Sequence, residues 1–279
     1  MITLRCIVDN TVIRGSDLWG EHGEAIAIET PDGKLLFDTG QSGDVLLHNA
    51  DQMGIDLLQM DALALSHAHY DHTGGLASFL THSRPSLPLY AHPDLFRERY
   101  AIKDGQPRSI GIRMTQTDLS LRSDLHLSAK PSEILPGVWT TGEITTRREF
   151  EGRSSHHFVR VDDSWQPDPY QDDLSLVLQT SQGLVVVCGC CHAGLLNTLT
   201  QIQQSFSQPL RAIVGGTHLA AVGSEVLDHV MVELRERCEG RVPDLYLNHC
   251  TGEHALAVLA HTFGDKVLPC PAGTVLMFA

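Results

Sequence analysis

The sequence lacks any apolar run long enough to span a bilayer. Its longest strongly apolar stretch, Leu184 to Cys191, falls far short of the roughly 20 residues a membrane helix needs. Residues 1–15 carry no charged start, apolar core and small-residue cleavage site of the kind that marks a secretory signal. Positive charge is scarce: Lys and Arg total 20 against 34 Asp and Glu, a formal charge of −14. That balance speaks against a broad footprint for nucleic acid or anionic lipid, because phosphate affinity comes mainly from Lys and Arg. There is no Walker loop, Rossmann glycine fingerprint or GxSxG elbow, so nucleotide cofactors and serine hydrolysis find no support. The seven cysteines are odd in number and irregularly spaced, which suits reduced thiols better than a disulfide framework. These absences leave the expectation of a soluble cytoplasmic protein that handles a small molecule, with no nucleic-acid or membrane partner.

What the sequence does have is a core and histidine. Hydrophobic residues make up 42% of the chain, enough to bury a sizeable interior, and there are 16 histidines. Short β-branched runs alternate with helical stretches, an α/β pattern. Glu24 to Glu29 and Lys34 to Phe37 read as strands joined by Pro31-Asp32-Gly33, and Leu174 to Gln179 and Leu184 to Val187 as a second hairpin. Met60 to Leu65 and Leu87 to Ala91 read as strands, with a helix from Pro93. Further on come helices at 194–206, 224–238 and 253–263 and strands at 212–214, 245–247 and 274–278. Residues 103 to 173 show no long periodicity and read as an insertion or lid on a single domain spanning 1–279. No internal repeat stands out.

The sharpest feature is His67-Ala68-His69-Tyr70-Asp71-His72, an HxHxDH pattern just after an apolar strand. In extended backbone, residues two apart face one side, so His67 and His69 can share a metal. The turn that follows can present Asp71 and His72 to a second one. Imidazole with carboxylate is a ligand set favoured by zinc and accepted by iron or manganese. Three later histidines, His192, His218 and His249, each follow an apolar strand. In α/β folds ligands gather beyond the carboxyl ends of strands, which makes these candidates for the rest of the site.

Taken together, Asp38-Thr39-Gly40, SHAHYDHTGG and the strand-end histidines resemble the metallo-β-lactamase superfamily. EHG at 21–23, CGCCHAG, GGTHL and NHCTG resemble its dihydropterin–ribofuranosylaminobenzene phosphate synthase-like branch. The resemblance implies an αβ/βα sandwich of two mixed β-sheets flanked by helices, with one or two divalent metal ions at one edge. Carried across by position, His67, His69 and His192 would hold one ion, and Asp71, His72 and His249 the other. Asp38 would orient ligands from behind, as outer carboxylates do. The chain departs from the pattern at one point. Many hydrolases of the superfamily carry a bridging Asp after the strand matching LVVVCG, whereas here the strand runs into Cys190-Cys191-His192. Cys190 reads as a soft ligand or, preferably, as a small buried hydrophobe.

Among the remaining polar residues, Arg108, Arg113, Arg147 and Arg148 could contact a phosphorylated substrate through their guanidinium forks. Glu143 is explained equally by a hairpin and by the site, and His156-His157 read as lid residues. Asp172-Asp173 read as capping or solvating the start of a strand. The expected activity is hydrolysis of a phosphorylated or ester-containing, anionic small molecule. Bound metal would lower the pKa of water to supply hydroxide, and Asp71 and His218 would be catalytic. The alternatives are a pterin–arylamine condensing synthase that releases pyrophosphate, and a non-catalytic metal-binding sensor or scaffold. A homo-oligomer is compatible with the sequence.

Overall fold

A computed structural model describes residues 1–238 and 240–279. It is built on two hairpins of the same design. In one, Ala25–Thr30 turns into Gly33–Phe37; in the other, Ser175–Thr180 turns into Gly183–Cys188. In each turn a threonine hydroxyl donates to the carbonyl of the returning glycine, Thr30 to Gly33 at 3.1 Å and Thr180 to Gly183 at 2.7 Å. The second strand of each hairpin then starts a parallel run. Gly33–Phe37 is followed across its sheet by Ala62–Ala64, Leu87–Ala91 and Ser123–Leu127. Gly183–Cys188 is followed by Leu210–Gly215, Asp244–Leu247 and Val267–Pro269. Ile2–Val8 and Val275–Phe278 complete one seven-stranded sheet, and Val138–Thr140 and Glu133–Leu135 complete the other.

The inner faces of the two sheets meet in one apolar layer that includes Leu4, Ile28, Phe37, Leu176, Val185 and Val214. Each outer face is covered by helices: Gly43–Gln52 and Leu76–Thr81 on the first sheet, Leu195–Ser205, Ser224–Arg237 and Glu253–Phe263 on the second. This is the αβ/βα sandwich of mixed sheets. Strands buried on both faces read as near-continuous apolar runs, and LVVVC within Gly183–Cys188 is fully buried.

Residues 103–173 divide between two structures. Ser123–Leu127, Glu133–Leu135 and Val138–Thr140 join the large sheets. Gln106–Ser109, His157–Val161 and Ser164–Pro167 join Arg99–Lys103 in a four-stranded antiparallel sheet of their own. The helix expected from Pro93 is only a single 3-10 turn, Pro93–Phe96, capped by His92 Nδ1 accepting from the amide of Asp94. Arg97 is already extended, and the chain continues as the strand Arg99–Lys103, whose first residue enters a buried cluster of carboxylates. Ile2–Val8 and Gly43–Gln52, which the sequence reading leaves unassigned, complete the first half.

Candidate metal centre

The parallel runs place every strand-end motif along one edge of the sandwich. Asp38 follows Phe37, His67 follows Ala64 by three residues, His192 follows Cys188, His218 follows Gly215, and His249 follows Leu247. This is the carboxyl edge where α/β sheets collect ligands. Asp38, Cys191, His218 and His249 all take positive φ, between 45° and 59°. Non-glycine residues rarely adopt that region, so the tertiary structure holds these turns in place at a cost.

Two triads of ligand atoms face one another. In the first, His69 Nδ1 lies 3.0 Å from His67 Nε2 and 3.1 Å from His192 Nε2. In the second, His249 Nε2 lies 3.2 Å from His72 Nε2 and 3.3 Å from Asp71 Oδ2. The short helix Tyr70–Thr73 turns Asp71 and His72 to this side, and all six side chains are buried.

The nitrogens facing away from the cage fix the tautomers. His72 Nδ1 is 2.7 Å from Asp38 Oδ2, His192 Nδ1 is 3.0 Å from the Gly152 carbonyl, and His249 Nδ1 is 2.9 Å from Asn10 Oδ1. His67 Nδ1 is 2.8 Å from Ser66 Oγ, which itself donates to Asp38 Oδ2 at 2.6 Å. With each Nδ1–H donating outward, the Nε2 lone pairs of His67, His72, His192 and His249 point into the cage. With both rings neutral, two such lone pairs 3.2 Å apart, on His72 and His249, cannot hydrogen-bond to each other. A shared cation resolves the conflict, so the donor set fits a divalent metal.

Electrostatics favour the ligating state at each triad residue except His72. Burial, reinforced by neighbouring imidazoles, holds His67, His69 and His192 well below the usual histidine range, so they are neutral and ready to ligate. Burial lowers His249 as well. Burial alone would raise Asp71, but His72, His22 and His249 hold it well below the usual carboxylate range. His72 is raised because Asp38 and Asp71 outweigh its desolvation.

Asp38 therefore lies directly behind both triads, touching His72 and, through Ser66, His67. Several residues that sequence reasoning passed over are also in contact with the site. Asp172 and Asp173 do not merely cap a strand. Asp172 Oδ2 accepts from the amide of Ala68, between His67 and His69, at 2.8 Å, and Asp173 Oδ2 accepts from the amide of Ala193 at 2.9 Å. Asp172 also pairs with the buried Arg99 at 2.6 Å, and Arg99 contacts Asp94 and Asp168 as well. Tyr170 stacks on His192 at 4.5 Å with an interplanar angle of 3°, and its hydroxyl lies 3.1 Å from His157 Nδ1. His22, half exposed, places Nε2 3.2 Å from Asp71 Oδ2. The strand-end rule would have found Asp9 and Asn10, had Ile2–Val8 been read as a strand.

His218 packs on His192 with ring centroids 4.2 Å apart, and His157 packs on His69 at 5.0 Å; His156 is exposed. Arg108 lies over the Tyr70 ring at 5.4 Å, beside the HxHxDH segment. Arg113 and Arg148 are exposed. Arg147 donates from Nε, Nη1 and Nη2 to the carbonyls of Ile144, Pro169 and Tyr170. Glu143 pairs at 3.6 Å with His92. Cys191 packs in the apolar cluster under the helices, whereas Cys190 Sγ lies 3.2 Å from His72 Nε2.

A sandwich with facing ligand triads at the carboxyl edge defines a class of metal-binding proteins, and a family model of the metallo-beta-lactamase superfamily matches residues 19–158. The chain belongs to that superfamily. It is 27% identical, over 278 residues, to 7,8-dihydropterin-6-methyl-4-(beta-D-ribofuranosyl)-aminobenzene-5'-phosphate synthase of Methanocaldococcus jannaschii, covering 94% of this chain and 92% of the relative. A solved metal-dependent hydrolase of the beta-lactamase superfamily is 26% identical and superposes with a TM-score of 0.85, with 100% of each chain covered. The metallo-beta-lactamase fold protein YhfI of Bacillus subtilis shares the fold, at 15% identity and a TM-score of 0.60, over 99% of this chain and 100% of that one. No helix among the described residues is long and apolar enough to cross a membrane.

Proposed function

We propose that the chain is a metal-dependent hydrolase of a phosphorylated or ester-containing small molecule. The observation that carries this reading is the pair of inward-facing triads, His67–His69–His192 and Asp71–His72–His249, with the Nδ1 atoms of His67, His72, His192 and His249 already committed outward. These residues would hold divalent ions, zinc or alternatively iron or manganese, which would activate water and polarise a phosphoryl or carbonyl oxygen. The residues do the rest. Asp38 and Ser66 keep His72 and His67 in the ligating tautomer, and Tyr170 fixes the plane of His192. Burial, with His157 and His249 nearby, pulls His218 down to about 4, so at neutral pH it offers a neutral imidazole to substrate beside the first triad. Arg108, exposed over Tyr70, would meet an anionic group arriving at the cage, while Arg147 is occupied by backbone carbonyls.

Elemental analysis of protein purified without added metal, together with turnover on a panel of phosphoesters and lactones, tests the reading. Two ions per chain and metal-dependent turnover are expected, with turnover falling at least about 1,000-fold in His67→Ala and His69→Ala, since removing a ligand removes the ion's contribution. A metal-loaded protein inert on every member of the panel would overturn it. The near full-length similarity to the methanogen synthase favours a second reading, a condensing transferase. That reading predicts pyrophosphate release only when pterin and arylamine partners are present together. A non-catalytic sensor is the reading left if metal binds and neither assay responds.

A further inference from the structure

The strand Gly183–Cys188 delivers its next residues to the floor of the cage. Gly189 runs so close to Ser66 that a Cβ there would sit 2.2 Å from Ser66 Oγ, so only glycine lets the backbone pass. The following side chain, Cys190, therefore emerges between the two triads, buried and with Sγ 3.2 Å from His72 Nε2. Its sulfur forms one compact group with His67 and His72 and another with His249 and Cys250, the ligand atoms of each group lying within 4.8 Å of one another. His67 belongs to the first triad, His72 and His249 to the second. Among the described residues, Cys190 is the one side chain outside the triads that is grouped with members of both. The other cysteines nearby are engaged differently: Cys191 lies in the apolar cluster, and Cys250 Sγ accepts from the amide of His218 at 3.2 Å.

We propose that the Cys190 side chain is the ligand the two metal positions share, with a thiolate in the place where a carboxylate would otherwise bridge. The inference rests on the two-triad reading above. In the metal-free chain the thiol hydrogen can point at His72 Nε2; metal binding would release that proton to solvent and leave the sulfur free to ligate. A soft shared ligand selects zinc, cobalt or ferrous iron over magnesium and manganese, which prefer oxygen. The metal choice that the His and Asp ligands leave open is thus narrowed by one sulfur.

Loading the purified chain with Co(II) tests this directly, because a thiolate on cobalt gives an intense near-ultraviolet charge-transfer absorption that imidazole and carboxylate do not. The wild type, Cys191→Ser and Cys250→Ser are expected to show the band with two cobalt ions per chain. Cys190→Ser is expected to lose the band and to bind the second ion at least about tenfold more weakly. Cys190→Asp should restore the ion count without restoring the band, which separates ligand loss from misfolding. A band that survives in Cys190→Ser, or that disappears in Cys250→Ser instead, overturns the assignment. Two cobalt ions in the wild type without the band overturn the thiolate alone. No cobalt uptake overturns the two-triad reading, and this proposal with it.

Discussion

His218 shows how one imidazole links burial to pH. Its ring packs on His192, and burial with nearby His157 and His249 pulls its pKa from 6.5 to about 4. Between those values the unfolded chain carries a proton on this ring that the folded chain does not. The stability contributed by neutral His218 is therefore present above the unfolded pKa and lost as pH falls through the window. The Tm of the metal-free wild type, measured relative to His218→Asn from about pH 7 to about pH 4, should drop as the medium becomes acidic. A difference that stays flat across that range would mean the ring is solvated. At this scale the HxHxDH candidate ligands are legible because their spacing is local. Ser66, Tyr170 and Asp172 are not, because serine, tyrosine and aspartate carry no signal until a distant histidine or amide is brought against them.

At the level of elements, the strand ends do the positioning. His67, His192, His218 and His249 could be marked from sequence because an apolar run followed by a polar residue is visible locally. The loops that orient them come from elsewhere in the chain. Gly152 is the clearest case: its carbonyl accepts from His192 Nδ1 at 3.0 Å, forty residues away in sequence. Its φ is 86°, and a Cβ would lie 2.2 Å from the Cys191 carbonyl oxygen. Gly152→Ala must shift that backbone and with it the acceptor that sets the His192 tautomer. Metal affinity, measured by competition with a chromophoric chelator, is expected to fall about 10- to 100-fold, as for other outer-shell losses. An unchanged affinity would show that His192 is held by Tyr170 stacking alone. The hairpins were read correctly because Pro31-Asp32-Gly33 and Ser181-Gln182-Gly183 announce themselves. The Pro93 segment gives only one turn where proline at a first-turn position suggests a helix; of the carboxylates that hold Arg99 just beyond it, Asp94 is local but Asp168 and Asp172 lie far along the chain and leave no local signal.

For the molecule as a whole, the small antiparallel sheet is tied to the sandwich by charge. Arg99, on its first strand, is 1% exposed and meets Asp94, Asp168 and Asp172, while Asp172 in turn holds the Ala68 amide inside the HxHxDH segment. Removing one member of such a cluster leaves buried charge uncompensated. Arg99→Met is expected to destabilise the protein by about 3–5 kcal/mol in denaturant unfolding. A loss under about 1 kcal/mol would indicate that the carboxylates simply take up protons. The formal charge of −14, which spoke against nucleic acid, is also distributed unevenly: several carboxylates are buried around the candidate cage, where cations would offset them.

The sequence by itself determined the α/β class, the two hairpins, the HxHxDH segment and the three strand-end histidines. Each is written in periodicity or spacing over a few residues, which local sterics and hydrophobic patterning enforce. It also gave no sign that the two halves share one topology, because the likeness lies in strand order rather than in residue period. Only the tertiary structure decided how Asp38, expected behind the ligands, reaches His72 directly and His67 through Ser66, that Asp172 and Asp173 grip the loops of the candidate ligands, and that Cys190 faces His72 while Cys191 joins the core. Those choices depend on which strands become neighbours, and burial of apolar faces fixes that for the whole chain at once, with no single segment specifying it.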